Sequence, residues 1–110
     1  MAIFNLTPHT VNFYEDGKLA AEFVSSGIAR AAQSTEELGE LESFRLVRNT
    51  YGEPVSLPEF SEGTYYIVSA LTVAAAKANG RRVDDLLLTA DAVRDEAGRI
   101  IGCRAFAVAE

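Results

Sequence analysis

Cysteine and histidine occur once each in this chain of 110 residues, as Cys103 and His9. A lone cysteine excludes an intramolecular disulfide and suits a reducing compartment. One histidine and one cysteine cannot supply the usual zinc set, and no Asp/Glu spacing resembles a calcium loop. The sequence therefore predicts no metal and no cofactor. No apolar run approaches the ~20 residues of a membrane-spanning helix. The opening Met1-Ala2-Ile3-Phe4-Asn5 has neither a charged leader nor a long apolar stretch, so no signal peptide is predicted and a cytoplasmic location is expected. Positive charge is also scarce, with 10 Lys and Arg against 16 Asp and Glu and a net charge of −6. That balance argues against a nucleic-acid polymer or an anionic membrane as partner. No Walker loop, Gly-x-Gly-x-x-Gly or Gly-x-Ser-x-Gly occurs.

What is present is the composition of a globular protein, 48% hydrophobic and 24% charged. The length fits a single compact domain spanning residues 1–110. Thr7-Pro8-His9 separates two short apolar stretches and predicts a bend, because proline restricts its predecessor and removes a donor. Asp16-Gly17 signals a hairpin. A three-residue loop, Glu15-Asp16-Gly17, would pair Phe13 with Leu19 and Val11 with Ala21, keeping apolar residues on one face. Ile28 to Ser34 reads as a strand carrying Arg30, and Ser34 to Gly39 as a loop or helical turn. Leu41 to Arg48 and Thr50 to Leu57 read as strands broken near Tyr51-Gly52-Glu53-Pro54, and Pro58 to Gly63 as a polar connector.

Thr64 to Val68 is rich in strand formers and Ser69 is a natural helix cap. Ala70 to Ala78 follows as a helix with Leu71, Ala74, Ala75 and Ala78 on one face, closed by Asn79-Gly80. Leu86-Leu87-Leu88 is then a buried strand, and the spacing permits a parallel crossover. A last hairpin turns at Glu96-Ala97-Gly98, placing Asp95 opposite Arg99 and Val93 opposite Ile101, in phase with Cys103, Ala105 and Ala107. The fold expected is α+β: a mixed, mostly antiparallel sheet or barrel-like roll with one principal helix.

Cys103 in that apolar phase reads as a core residue rather than a nucleophile. Asp84, Asp85 and Asp91 read as a solvated acidic set. The remaining candidates are polar residues at turns and strand ends: Asn5, Thr7, His9, Ser26, Arg30, Ser69, Arg94 and Arg104. Ser69 opens a helix whose free N–H groups can receive an anion. Arg94 and Arg104 share a strand face with Gly102, where a missing side chain would admit a ligand to the backbone. Individually each residue has a plain structural role available, such as capping or surface ion pairing. Together they point to a site for a small anionic, nucleotide-like ligand.

Four segments carry a resemblance: Asn5-Leu6-Thr7-Pro8-His9, Ser26-Gly27-Ile28-Ala29-Arg30, Tyr66-Ile67-Val68-Ser69, and Arg94 through Cys103 with its Asp95-Glu96-Ala97-Gly98-Arg99-Ile100-Ile101-Gly102 core. The chain resembles a family of small proteins commonly encoded by bacteriophages and prophages. The resemblance implies a phage or prophage origin and carries over no catalytic residue. In that setting the leading expectation is a binding protein that sequesters a host immune signalling nucleotide. Arg30, Arg94 and Arg104 would meet phosphates, Ser69 would assist, and His9 with Asn5 would contact base or ribose. The alternatives are a protein-interaction or virion-associated structural module, and a nucleotide-processing enzyme with His9 as general base. Exposed strand edges also leave a homo-oligomer open.

Overall fold

In a computed structural model, which describes residues 1–109, eight strands and one helix follow each other along the chain. They are β1 (Ala2–Asn5), β2 (Val11–Glu15), β3 (Lys18–Phe23), β4 (Gln33–Leu41), β5 (Phe44–Tyr51), β6 (Thr64–Ile67), α1 (Ala70–Ala78), β7 (Leu86–Arg94) and β8 (Ile100–Val108). Six strands form a mixed sheet in the order β1-β6-β7-β8-β2-β3. A parallel bridge between Asn5 and Ser25, just beyond β3, brings the two ends of that order together, so the sheet is nearly closed into a barrel. The expected α+β, barrel-like roll is the fold observed. The parallel ladders β1–β6, β6–β7 and β2–β8 are short, and β7–β8 is the long antiparallel one.

The β6-α1-β7 unit forms as its sequence dictates. Ser69 is extended, and its Oγ accepts the Thr72 N–H at 3.2 Å while its carbonyl accepts the Val73 N–H at 3.1 Å. Asn79 caps the far end, and Gly80 takes the positive φ of 79° that ends the helix. The buried residues of the helix are Thr72, Val73, Ala75 and Ala76. The face is thus rotated from the expected one: Leu71 and Ala74 are half-buried and Ala78 is exposed. Val73 and Ala76 pack with Tyr66, Val68, Leu86, Leu6, Ala29 and Ala109. Alanine at 75 and 76, fully buried, lets the helix axis approach the strands closely. On three consecutive strands of the sheet, Phe106 of β8 meets Phe13 at 5.2 Å and Phe23 edge-on at 5.7 Å, joining β8 to β2 and β3.

Several expectations about local structure are corrected. The first hairpin turns on two residues, Asp16 and Gly17, with φ of 51° and 75°, so Glu15 faces Lys18. A bulge beside Phe13/Tyr14 then resets the register, pairing Phe13 with Ala21 and Val11 with Phe23. The bulge achieves what a longer loop was expected to do, and keeps apolar residues opposite one another.

Ser34 to Gly39 is neither loop nor helical turn but part of β4, which pairs with β5 as a separate two-stranded sheet. Glu42 and Ser43 turn it with φ of 49° and 77°. The expected strand from Leu41 to Arg48 is split by that turn. Of the expected strands Ile28–Ser34 and Thr50–Leu57, only Gln33, Ser34, Thr50 and Tyr51 are strand, in β4 and β5, with a single bridge between Arg30 and Val55 in the remainder. Every residue of β4 is exposed, so the arm has no inward face to impose the alternation by which strands are recognised.

In the last hairpin Asp95 does lie across from Arg99, whose backbone carbonyl accepts the Asp95 N–H at 2.9 Å. A bulge between Val93 and Arg94 shifts the partner of Val93 to Gly102 rather than Ile101. Cys103 then pairs with Ala92 and is buried.

Candidate functional site: a cleft at the start of the helix

The turn after β1 is held by one side chain. Asn5 is buried, and its Nδ2 donates to the carbonyls of His9 at 2.7 Å and Phe23 at 2.8 Å. Its Oδ1 accepts from the Thr7 N–H at 3.0 Å and the Thr7 Oγ1 at 2.6 Å. Both ends of the amide are therefore engaged, and Thr7-Pro8-His9 is fixed against the barrel. The same residue closes the seam, since its carbonyl accepts the Ser26 N–H at 2.8 Å.

Beside this turn lies a cleft of about 510 Å³, within the ~300–1,000 Å³ of small-ligand sites. Its polar rim is Thr7, His9, Thr10, Asn12, Ser69 and Thr89, and its apolar walls include Val11, Ile67, Leu88, Ile100 and Ile101. The first turn of α1 opens on it through Ser69 and Ala70. Helix geometry leaves the leading N–H groups without intrahelical partners, so this end carries partial positive charge. Among the described residues, no arginine, lysine or carboxylate belongs to the lining. A site of this kind can grip a flat, partly apolar molecule, hydrogen-bond it at the rim and take a single negative group at the helix start.

Asn12 occupies an unusual position in that lining. Its Nδ2 donates to the Ile101 carbonyl at 3.3 Å, and its Oδ1 is buried with no partner among the described residues. Cys103 also lies on the wall, where burial pushes its thiol above the ordinary range and so disfavours the reactive thiolate.

Of the residues expected to form a site, Thr7, His9 and Ser69 are brought together at the cleft. Asn5 is committed to the turn and seam. Ser26 contributes its backbone N–H to the seam, and Arg30 is exposed beside its bridge to Val55. Arg94 Nη1 donates to the Gly98 carbonyl at 2.8 Å, bracing the last hairpin. Arg104 Nη1 reaches Asp91 at 3.2 Å, at the edge of a smaller hollow of about 220 Å³ that shares Ile100, Gly102 and Cys103 with the cleft wall. The structure does not gather these three arginines around the cleft. Gly102 is not an open approach either, because the space of its missing side chain is filled by Tyr14 and the Asn12 carbonyl.

The other acidic candidates have arginine partners: Asp85 is buried on Arg81, and Asp84 is half-buried on Arg82. Among the described residues, no group of three or more His, Cys, Asp or Glu is placed to hold a metal ion. No helix among the described residues is long and apolar enough to cross a membrane.

Sequence reasoning missed Thr10, Asn12 and Thr89. The signal available for Asn12 was a poor strand former set between Val11 and Phe13. Searches against family models, curated proteins and solved structures give no match to this chain.

Proposed function

We propose that the chain is a binding protein for a small nucleotide-like ligand carrying a single anionic group, held in the cleft beside Ser69. The observation that supports this most is the convergence of a hydroxyl-rich rim, apolar walls and a helix start on one concavity of ligand size. Ile100 and Ile101 offer a surface for a flat ring. Thr10, Thr89 and His9 supply hydrogen bonds in either direction. Thr7, whose hydroxyl donates to Asn5, offers an acceptor, and the helix N–H groups take the anion. With no cation in the lining, one phosphate suits the cleft better than a chain of them.

Asn12 adds a separate reason. An amide oxygen buried without a partner costs about 1–3 kcal/mol, and proteins keep such costs mainly at functional sites. In the phage or prophage setting implied by the resemblance, the role would be sequestration of a host signalling nucleotide in the bacterial cytoplasm. A catalytic reading is less well supported, since no carboxylate or lysine joins His9 in the lining to act as a second proton carrier.

Native mass spectrometry with a panel of mononucleotides and cyclic nucleotides tests the reading. Binding that is weakened at least about tenfold, some 1.4 kcal/mol, by His9→Ala and by Asn12→Leu supports it. No bound mass with any member, or affinity unchanged in both variants, overturns it. Ligand released in altered form would move the catalytic reading to the front.

A further inference from the structure

The arm formed by β4 and β5 stands apart from the barrel, and its composition is not that of a free surface hairpin. The radius of gyration is 16.7 Å against about 13 Å for a compact chain of this length, and the long axis reaches 52 Å. All nine residues of β4 and seven of the eight in β5 are exposed. An isolated two-stranded hairpin is marginal in water, and stability normally requires a third strand or a packed face.

One face of the arm is apolar toward its turn. Leu41 lies opposite Phe44 and Gly39 opposite Leu46, so Leu41, Phe44 and Leu46 line the same side. Leu38, the extra residue of the bulge between Glu37 and Gly39, is a fourth large apolar side chain exposed on the arm. Phe44 is 71% exposed and Leu41 61%.

The two free edges differ. The β4 edge carries Glu36, Glu37 and Glu40 and is broken by the bulge, both devices that discourage further pairing. The β5 edge has no bulge of its own, no proline and no acidic residue. Its two charges are already neutralised from the β4 side: Arg45 bonds Glu37, and Arg48 lies 3.8 Å from Glu36.

We infer that β5 is the interface of a homodimer, pairing antiparallel with β5 of a second copy about a two-fold axis through Val47, so that the two arms form one four-stranded sheet. In this register Val47 meets its own copy, Leu46 meets Arg48, Arg45 meets Asn49 and Phe44 meets Thr50. No like charges lie opposite one another. The Leu46 side chain packs along the aliphatic stem of Arg48, and the apolar faces of the two arms lie on the same side of the new sheet. Pairing β4 with β4 about Glu36, Glu37 or Leu38 sets glutamate against glutamate, and the bulge interrupts it. The eight residues of β5 make the contact, fewer than the about 20–30 residues a side of a standard interface, so a weak, concentration-dependent dimer is expected.

Sedimentation of the full chain from about 1 to 100 μM, a span that brackets a Kd of about 10 μM, tests this. The wild type should associate. Val47→Lys should raise the dissociation constant at least about tenfold, because it faces Glu37 favourably within the arm but its own copy across the axis. Val47→Cys should form an interchain disulfide on mild oxidation, since the paired positions fall within bridging distance. A wild type that stays monomeric throughout this range would overturn the inference. So would association that survives Val47→Lys in a chain that forms no Val47→Cys cross-link. Neither result bears on ligand binding in the cleft.

Discussion

Gly102 gives up its side-chain space to Tyr14. A Cβ at position 102 would lie 2.5 Å from the Tyr14 Cε2 and 2.6 Å from the Asn12 carbonyl oxygen. The ring and a backbone atom from β2 thus lie directly on β8, where the ladder itself is only a single pair, Phe13 with Cys103. Gly102→Ala forces one strand away from the other, and a loss of about 1–3 kcal/mol is expected by urea denaturation. Truncation of the ring in the double variant Gly102→Ala, Tyr14→Ala should recover part of the overpacking cost, though the Asn12 carbonyl still opposes the new methyl.

Arg81 and Asp85 form the buried ion pair of the structure, at 2.9 and 2.8 Å through two parallel hydrogen bonds. Arg81 also donates to the Pro58 and Arg82 carbonyls, tying the 58–63 connector to the turn after the helix. Arg81→Ala leaves a buried carboxylate without its cation and should cost about 3–5 kcal/mol. Replacing both with apolar residues of similar size should cost much less than the single change, which a thermal melt of the three variants would read.

Asn5→Ala removes four hydrogen bonds at once and releases both the 7–9 turn and the seam. About 2–3 kcal/mol of stability should be lost. Amide exchange should accelerate first at Ser26, whose N–H bonds the Asn5 backbone carbonyl across a seam that has lost its side-chain tie to the Phe23 carbonyl. Equal protection of that amide in variant and wild type would show that the seam does not rely on this side chain.

These three sites show which parts of the fold were legible. The helix from Ala70 to Ala78 was bounded by its own caps, Ser69 and Asn79-Gly80, which act within a few residues and need no tertiary context. The Asp95–Arg99 closure was legible for the same reason. The bulges beside Phe13 and Val93 were not, because a bulge is fixed by what the strand must face across the barrel. Strand β4 was obscured by its full exposure. At the site, Thr7, His9 and Ser69 were within reach of turn and cap logic. Arg94 and Arg104 lie away from the cleft because each has a nearby partner that sequence alone does not reveal: Gly98 for Arg94 and Asp91 for Arg104.

Cys103 gives a prediction tied to pH. Burial holds its thiol pKa above the ordinary value, so the folded chain prefers the neutral form more than the unfolded chain does. This contribution is complete below about pH 8.5, where the free thiol titrates, and is lost as pH rises toward the folded value. The urea midpoint should fall between pH 7 and pH 9.5 in the wild type, and by less in Cys103→Ala. A thiol reagent should label Cys103 slowly in the native protein and rapidly after denaturation.

The Gly52 N–H donates to the Ala32 carbonyl at 2.9 Å, so the chain enters and leaves the arm at one point. Everything from Gln33 to Tyr51 is therefore a graft on a barrel whose own strand pairings do not include it. Such a segment can be lengthened, shortened or exchanged in descendants of this chain without rewriting the core. The barrel and the arm are free to evolve at different rates, one constrained by packing and the other by whatever it meets.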